Sequence, residues 1–379
     1  MYKRVVIKIG TGVLTNAEGQ LNRTQLAQSV KDLSTIMHEG IEVVLVTSGA
    51  VATGRSVMSS LQRGIPDRQA YAAIGQPLLM QAYHELTRAH TINVAQILIT
   101  REDFDDRTRY LNIRNTLQAL LAMKTLPIVN ENDVVAVTVE GGDAFGGNDA
   151  LAAMIALLID ADLLLILGTT DGLYNAPPET GNPVRIPEVH DISHEILSMA
   201  GKGSPTGRGG MRRKLEAAKL ASETGILTII ANGRNDTIMK KVIIEHEDHG
   251  TRCVPEAPYL SSRDRWLVAG VVQKGTIVID AKAVEALAHG SSLLPIGIKE
   301  VEGDFDRGDA VRVLSETGES IAVGLCNYPA TDLYRIKRRP SKEFKKILGY
   351  HGHDEAINRY NLALTSCKLT YARPSFSHQ

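Results

Sequence analysis

The sequence has few cysteines. It contains three in 379 residues, Cys253, Cys326 and Cys367, and their wide spacing matches neither a disulfide framework nor a zinc-binding pattern. It also lacks any run of eighteen apolar residues, and charged residues interrupt the first ten positions where a signal peptide would be apolar. These absences exclude a disulfide-stabilised scaffold and a membrane-spanning protein. They predict a protein of the reducing cytoplasm.

Net charge and aromatic content are low as well. The formal net charge is -1 and aromatic residues make up 4% of the chain, so no global field attracts nucleic acid or membranes. One local excess exists, because seven lysines and arginines lie within residues 335–346. Few aromatic residues are interleaved with them, which favours a solvated basic surface over an RNA-binding site. RNA binding remains the alternative of a different functional class.

Several catalytic signatures are missing too. No Ser-His-Asp arrangement, no cluster of metal ligands and no Walker P-loop of the Gly-Lys-Ser/Thr type is present. These absences argue against nucleophilic and metal-centred hydrolysis. They leave open the chemistries that need mainly charge neutralisation and positioning.

Apolar strands and helices alternate through the first two thirds of the chain. Such alternation predicts an α/β fold with a mostly parallel sheet covered on both faces. The predicted strands are residues 5–9, 41–47, 94–99, 126–129, 163–167 and 226–230, and the predicted helices are residues 26–37, 69–89, 110–123, 149–159 and 211–223. Asn22 or Thr24 is the expected N-cap of the first helix, and Gly40 its end.

The length predicts two domains, and the pattern changes after about residue 250. Short strands separated by glycine turns follow, with one helix near residues 283–288, as in a small β-rich barrel. The expected divisions are a catalytic domain at residues 1–255, a linker at 256–272, a β-rich domain at 273–365 and a tail at 366–379.

Glycine and polar clusters follow the predicted strands repeatedly. Ligands bind outside the carboxyl ends of the strands in parallel sheets, so this edge is the expected site. Lys8 lies inside the first strand and is followed at once by Gly10-Thr11-Gly12. A lysine there is well placed to hold a phosphate, although a lysine that merely extends to solvent is the more common case.

Two further groups stand out near predicted helix starts. Gly207 to Lys214 opens a helix with glycines and basic residues, so an anion would compensate the unfavourable charge at its N-terminus. Asp149 follows Gly147-Asn148 and either caps the next helix or takes part in a site. Two lysines, two carboxylates and three glycine turns together suit phosphoryl transfer, which depends on positioned positive charge.

The chain resembles the glutamate 5-kinase family of the amino acid kinase superfamily, whose members carry a C-terminal PUA domain. The resemblance extends from Lys3 to about Leu364. It is carried by Val6 to Gly10, Val46 to Gly54, Gln69 to Gln76, Tyr110 to Asn112 with Arg114 to Thr116, Asn130 to Asp133, Asp171 to Tyr174 and Gly209 to Met211 with Lys214, and in the second domain by Ser292 to Pro295 and Phe305 to Asp309. It implies a three-layer αβα amino acid kinase fold followed by a PUA barrel. One departure from the family pattern is Gly147, where an aspartate is usual.

The resemblance also implies an activity and the residues for it. The activity is ATP-dependent phosphorylation of the γ-carboxylate of L-glutamate, the first step of proline synthesis, with Mg²⁺ bridging the ATP phosphates. The implied catalytic residues are Lys8, Lys214, Asp149 and Gly49; the implied glutamate-binding residues are Ser48, Asp133 and Asn148; the implied nucleotide-binding residues are Lys8, Thr169, Arg208, Gly209, Gly210, Met211 and Lys214. No protein metal ligand is implied.

The same resemblance gives expectations about partners. It implies a homo-oligomer and feedback inhibition by proline, without giving the strength of that inhibition. Another kinase of the superfamily, acting on a different carboxylate or on a carbamate, is the alternative within the same class, although such kinases rarely carry a PUA domain.

Overall fold

A computed structural model describes residues 2–58, 65–136, 147–176, 183–200, 210–255, 271–350 and 352–365. The chain divides into two compact units, Met1–Pro255 and Glu256–Gln379. Most of the expected linker and all of the expected tail lie outside the described residues. None of the described helices is both long and apolar enough to cross a membrane.

The first unit is an α/β structure. Its strands in the described residues are β1 (Arg4–Ile9), β2 (Glu42–Val46), β3 (Val94–Ile99), β4 (Leu126–Glu131), β5 (Leu163–Gly168), β6 (Glu188–Val189), β7 (Leu227–Asn232) and β8 (Thr251–Cys253). Its helices there are α1 (Thr11–Leu14), α2 (Arg23–His38), α3 (Ala50–Val57), α4 (Ile65–Arg88), α5 (Glu102–Asp105), α6 (Arg107–Ala122), α7 (Asn148–Leu158), α8 (His194–Met199), α9 (Met211–Ser222) and α10 (Ile238–Ile243).

The strands form one sheet with β1 near its middle. The order is β3-β4-β2-β1-β5-β7-β8-β6, and every pairing from β3 to β7 is parallel. β8 runs antiparallel to β7 and closes that side together with β6. β1 is flanked on both sides by parallel neighbours and its residues Val5 to Ile9 are buried, as expected for an apolar β-branched strand covered on both faces.

Helices cover both faces of this sheet. α2, α4 and α10 pack on one face, where the side chains of Val5, Ile7 and Ile9 point. α6, α7 and α9 pack against β4, β1 and β7 respectively, with α7 against α9, and this is the second helical layer. The three-layer αβα architecture and the mostly parallel sheet that were expected are therefore confirmed.

Helix α2 shows how local sequence sets these elements. Asn22 caps it, because its side chain accepts a hydrogen bond from the Gln25 amide at 3.1 Å, which selects Asn22 over Thr24. Its apolar stripe, which includes Leu26, Val30 and Leu33, is buried in the core.

Helices α3 and α4 cross at unusually close range. A methyl group added at Gly54 would collide with the backbone carbonyl of Tyr71, and one added at Gly75 would collide with the carbonyl of Ala50. The backbones therefore touch without side chains between them. α3 was not predicted as a helix, because its glycine-containing sequence has weak helical preference and is stabilised by this crossing instead.

The second unit is β-rich. Its described strands are β9 (Gln273–Ile279), β10 (Ile298–Gly303), β11 (Ala310–Ser315), β12 (Ser320–Leu325) and β13 (Leu362–Leu364), in the order β10-β9-β11-β12-β13. Its described helices are α11 (Ala281–Ala288), α12 (Ala330–Ile336) and α13 (Phe344–Leu348). A separate core includes Ile277, Val313 and Tyr328, so the unit has its own folding centre.

Candidate active site

Successive strands are added to opposite sides of β1. β2 and β4 lie on one side of β1 and β5 and β7 on the other, so the strand order reverses there. In open α/β sheets such a reversal leaves a crevice at the carboxyl ends of the strands, where ligands bind. Several of the predicted site residues lie at this edge.

Three charged side chains meet beside the end of β1. The Lys8 ammonium lies 2.6 Å from Asp149 Oδ1, and the Lys214 ammonium lies 3.4 Å from Asp149 Oδ2. Lys8 is 5%, Asp149 2% and Lys214 7% exposed. Lys8 therefore does not extend to solvent. We call these three residues the lysine–aspartate triad.

The triad carries one positive charge in excess, and the pKa values of Asp149 and Lys214 are shifted. Burial raises the pKa of the Asp149 carboxyl, but the charges of Lys8 and Lys214 outweigh burial and hold that pKa below its ordinary value. Burial lowers the pKa of Lys214, and the charge of Lys8 lowers it further against the opposing attraction of Asp149. Perturbed pKa values with named charge partners are typical of functional sites.

Asp149 does not act as the cap of α7. Gly147 is the N-cap residue, with no side-chain capping bond, and its φ of +90° favours glycine. Asp149 lies in the first turn of α7 and directs its carboxylate at the two lysines instead. The structure thus excludes the capping role for this residue, and it gives a backbone reason for Gly147.

Glycine at the end of β5 gives Lys214 its space. A Cβ atom at Gly168 would lie 2.9 Å from Lys214 Cε, which is closer than ordinary contact allows. Lys214 comes from the first turns of α9 and passes over this glycine toward Asp149. The sequence signal for this packing is only a glycine at a strand end.

Ser48, Gly49 and Asn148 form a second cluster at the same edge. Asn148 Nδ2 lies 3.0 Å from Ser48 Oγ and 2.8 Å from the Thr47 carbonyl oxygen, to which it donates. Gly49 has a φ of +108°, a conformation that favours glycine, and immediately precedes α3. Because Asn148 and Asp149 are adjacent in α7, this cluster adjoins the lysine–aspartate triad.

Asp133 lies just beyond β4. Its carboxylate Oδ1 is 3.5 Å from a guanidinium nitrogen of Arg68, which comes from α4. The structure therefore places Asp133 in an ion pair, while it brings Ser48 and Asn148 into direct contact. Arg68 was not predicted, and nothing in its local sequence distinguishes it from a surface arginine.

The predicted nucleotide segments are partly described. Thr169 is exposed directly after β5, Gly210 is the N-cap residue of α9 and Met211 begins that helix. Arg208 and Gly209 lie outside the described residues. A cavity of about 320 Å³ opens beside the ends of β5 and β7, and Tyr174, Asn232 and Ile238 are among its lining residues.

No protein metal centre is found within the described ranges, since no three His, Cys, Asp or Glu side chains there are grouped to hold an ion.

Two side chains that were not predicted as site residues extend the Asn148 cluster. Asn130 Oδ1 accepts from Asn148 Nδ2 at 2.9 Å, and Gln76 Oε1 accepts from Asn130 Nδ2 at 2.9 Å. Asn130 was visible as part of a polar strand end, whereas Gln76 is a single polar residue in a helix.

Two family models match the chain. The amino acid kinase family model matches residues 3–232, and the PUA domain model matches residues 275–348. Among solved structures, a UMP kinase from Bacillus anthracis aligns with a TM-score of 0.48 and 16% identity, covering 68% of this chain and 97% of its own.

Curated relatives match over nearly the whole chain. The glutamate 5-kinase of Dictyoglomus thermophilum is 40% identical over 96% of this chain and 98% of its own length. The glutamate 5-kinase of Dehalococcoides mccartyi strain CBDB1 is 42% identical over the same shares of the two chains. The chain therefore belongs to the amino acid kinase family, and within it to the glutamate 5-kinases with a C-terminal PUA domain.

Proposed function

We propose that the protein transfers the γ-phosphoryl group of ATP to the γ-carboxylate of L-glutamate, giving L-glutamyl 5-phosphate, the first step of proline synthesis. The observation that carries the proposal is the buried lysine–aspartate triad beside the Ser48–Asn148 cluster. The names of the curated relatives support the choice of substrate.

The chemistry fits a site that presents two ammonium groups, because the reaction needs no general base. A glutamate side chain is ionised at neutral pH, so its carboxylate oxygen attacks phosphorus without losing a proton. The bond from phosphorus to the ADP oxygen breaks as the new bond forms. Nucleophile and phosphoryl group are both anionic, and Lys8 and Lys214 would offset their repulsion as charge spreads over the phosphoryl oxygens.

The other residues would position the reactants. Asp149 holds both ammonium groups, and the Gly49 amide would support the transferring group. Ser48, Asp133 and Asn148 would bind glutamate. Thr169, Arg208, Gly209, Gly210 and Met211 would contact the nucleotide, and the cavity beside β5 and β7 has the volume of a small-molecule site for its base. Mg²⁺ would arrive bound to the ATP phosphates and neutralise part of their charge.

The test is hydroxamate formation. The protein is incubated with ATP, Mg²⁺, hydroxylamine and a candidate acid, and hydroxylamine converts an acyl phosphate into a coloured hydroxamate. We expect product with L-glutamate and at least ~10²-fold less with L-aspartate, whose side-chain carboxylate is one methylene too short. Equal turnover of both acids, or none with glutamate, would reject the substrate.

The first unit, residues 1–255, is proposed to be catalytic by itself, because every described side chain of the triad lies in it. A soluble, folded fragment of these residues should form hydroxamate. Loss of activity in that folded fragment would show that the second unit is required.

Homo-oligomer formation and feedback inhibition by proline remain predictions for this protein. An exposed apolar region supports the first of them: edge strand β3 presents Leu98, and the neighbouring α4 and α6 present Leu78 and Leu111, each at least 36% exposed. Light scattering of the wild type and of Leu98→Glu would test this surface. A monomeric wild type would reject it.

The RNA-binding alternative is not favoured. In the basic run, Lys337 lies 3.8 Å above the ring of Tyr334, Arg335 pairs with Asp332, and Arg339 pairs with Glu343 at 3.8 Å. These charges thus have partners within the protein, as in a solvated basic surface. The curated relatives are named as kinases.

A further inference from the structure

Four side-chain amides form a continuous chain from the edge of the sheet to the candidate active site. Asn148 Nδ2 donates to Asn130 Oδ1 at 2.9 Å, and Asn130 Nδ2 donates to Gln76 Oε1 at 2.9 Å. Gln76 Nε2 then donates to Gln96 Oε1 on β3 at 3.4 Å, the longest of the three bonds. Asn148, Asn130 and Gln76 therefore each donate away from the site, and Asn130, Gln76 and Gln96 each accept on the site-facing side.

The direction of this amide chain is fixed by its surroundings. Asn130 Oδ1 also accepts from the Glu131 backbone amide at 3.0 Å. Reversing the Asn130 amide would place its NH₂ group against two other donors, Asn148 Nδ2 and the Glu131 N–H. Asn148 Nδ2 faces two further oxygens, those of Thr47 and Ser48, so its reversal is disfavoured as well. Each unmade bond in a buried network costs free energy, and the bonds reinforce one another.

One acceptor is left at the site end of the chain. Asn148 Oδ1 is shielded from solvent and has no hydrogen-bond partner among the residues that the structure describes. A buried carbonyl oxygen needs a donor. L-glutamate offers two carboxylates, which only accept at neutral pH, and one α-ammonium group, which donates.

We propose that Gln76 is a positioning residue, which acts through Asn130 to hold the Asn148 amide so that its Oδ1 accepts a hydrogen bond from the α-ammonium group of the substrate. The inference rests on the proposed function. Gln76 is suited to this role because it is buried, and because the adjacent Gly75 packs against the Ala50 carbonyl, which fixes its position on α4.

Three variants test the role of Gln76. Gln76→Met keeps the approximate size of the side chain but removes the acceptor for Asn130, whereas Gln76→Glu keeps an acceptor oxygen. Gln81→Met makes the same change on the exposed side of α4, where Gln81 donates to Glu85, and is the matched control. Thermal denaturation of each variant checks that it is folded.

We expect Gln76→Met to raise the KM for L-glutamate about tenfold, the equivalent of one lost hydrogen bond, and to leave the KM for ATP within about twofold. Gln76→Glu should recover most of the glutamate affinity, and Gln81→Met should match the wild type. In the Asn148→Ala background, Gln76→Met should have little further effect on the KM for glutamate, because it acts through that residue.

Glutarate separates recognition of the ammonium group from general damage to the site. It carries both carboxylates and no ammonium, and is used as a competitive inhibitor against L-glutamate. We expect Gln76→Met to leave its inhibition constant within about twofold of the wild-type value. Equal weakening for glutarate and glutamate, equal rises in the two KM values, or additive effects with Asn148→Ala would each overturn the inference.

The proposed function fails on a different result. If the wild type forms no hydroxamate from L-glutamate, the substrate assignment is wrong, and the proposal for Gln76 is overturned with it. If the wild type is active and Gln76→Met behaves like Gln81→Met, only the role of Gln76 is rejected.

Discussion

Asp149→Asn isolates the effect of one buried charge. The substitution keeps the shape of the side chain but removes the carboxylate that lies 2.6 Å from Lys8 and 3.4 Å from Lys214. At an effective dielectric constant of about 20, those two attractions amount to about 6 and about 5 kcal/mol before desolvation is subtracted. The variant leaves two ammonium groups close together without the carboxylate that lies between them.

The net destabilisation should be smaller than the sum of these attractions. Removing one partner of a buried ion pair typically costs about 3–5 kcal/mol, because desolvation of the charges already offsets much of the attraction. For a domain of this size that corresponds to a fall in Tm of about 6–20 °C. We expect kcat to fall by about 10²-fold or more, since the lysines lose the group that orients them.

Calorimetry measures the change in Tm, and the hydroxamate assay measures the change in kcat. Glu42→Gln is the control variant. Glu42 lies at the same 2.6 Å distance from its partner Arg4, but this pair is partly exposed. The side chain of Glu42 is 38% exposed and that of Arg4 is 23% exposed. Exposed pairs contribute little to stability, so the control should change Tm by only about 3 °C or less and leave kcat unchanged. An Asp149→Asn variant with wild-type Tm and kcat would show that the carboxylate does not hold the lysines.

The remaining predictions concern the lysines and the glycine beside Lys214. Lys8→Ala and Lys214→Ala should each lower kcat by about 10²-fold or more in a folded protein, and the double variant should resemble the worse single one; fully additive losses would contradict joint action on one phosphoryl group. Burial and the charge of Lys8 lower the pKa of Lys214 below 10.5, against the attraction of Asp149. We therefore expect kcat to fall as pH rises toward 10.5. If the titrating group is Lys214, the Lys214→Arg variant should not show this fall. Stability should rise with pH over the same window, since the unfolded chain then binds more protons than the folded one. Gly168→Ala should displace the Lys214 side chain and lower kcat about tenfold with little change in the KM for glutamate; unchanged kcat would mean that the lysine accommodates the methyl group.

Much of the first unit could be predicted because its strands are long and apolar. β1 and β5 lie where their buried, branched residues indicated, and Asn22 begins α2 as one of the two expected caps. β8 was missed because three residues are too few to show a period, so the antiparallel side of the sheet is not visible in the sequence. α3 was missed because its stability comes from contact with α4.

The site could be predicted only in part, for a related reason. Lys8 lies near the end of a recognisable strand, and Asp149 and Lys214 lie near recognisable helix starts, but their meeting depends on β1 and β5 being neighbours in the sheet. Strand order is a tertiary property that no local pattern contains. Gln76 is the clearest example of a residue that the sequence does not mark. Its proposed role rests on one hydrogen bond from Asn130, which lies far from it in the sequence, on β4.

The crossing of α3 and α4 has a mechanical consequence. Where two helices meet through side chains, rotamer changes absorb small displacements, but backbone atoms in contact at Gly54 and Gly75 offer no such adjustment. We therefore expect the Gly49 turn at the start of α3 and the Gln76 amide on α4 to move together. A displacement of α4 by a neighbouring molecule at the exposed sheet edge would shift both the phosphoryl end and the amino-acid end of the site together.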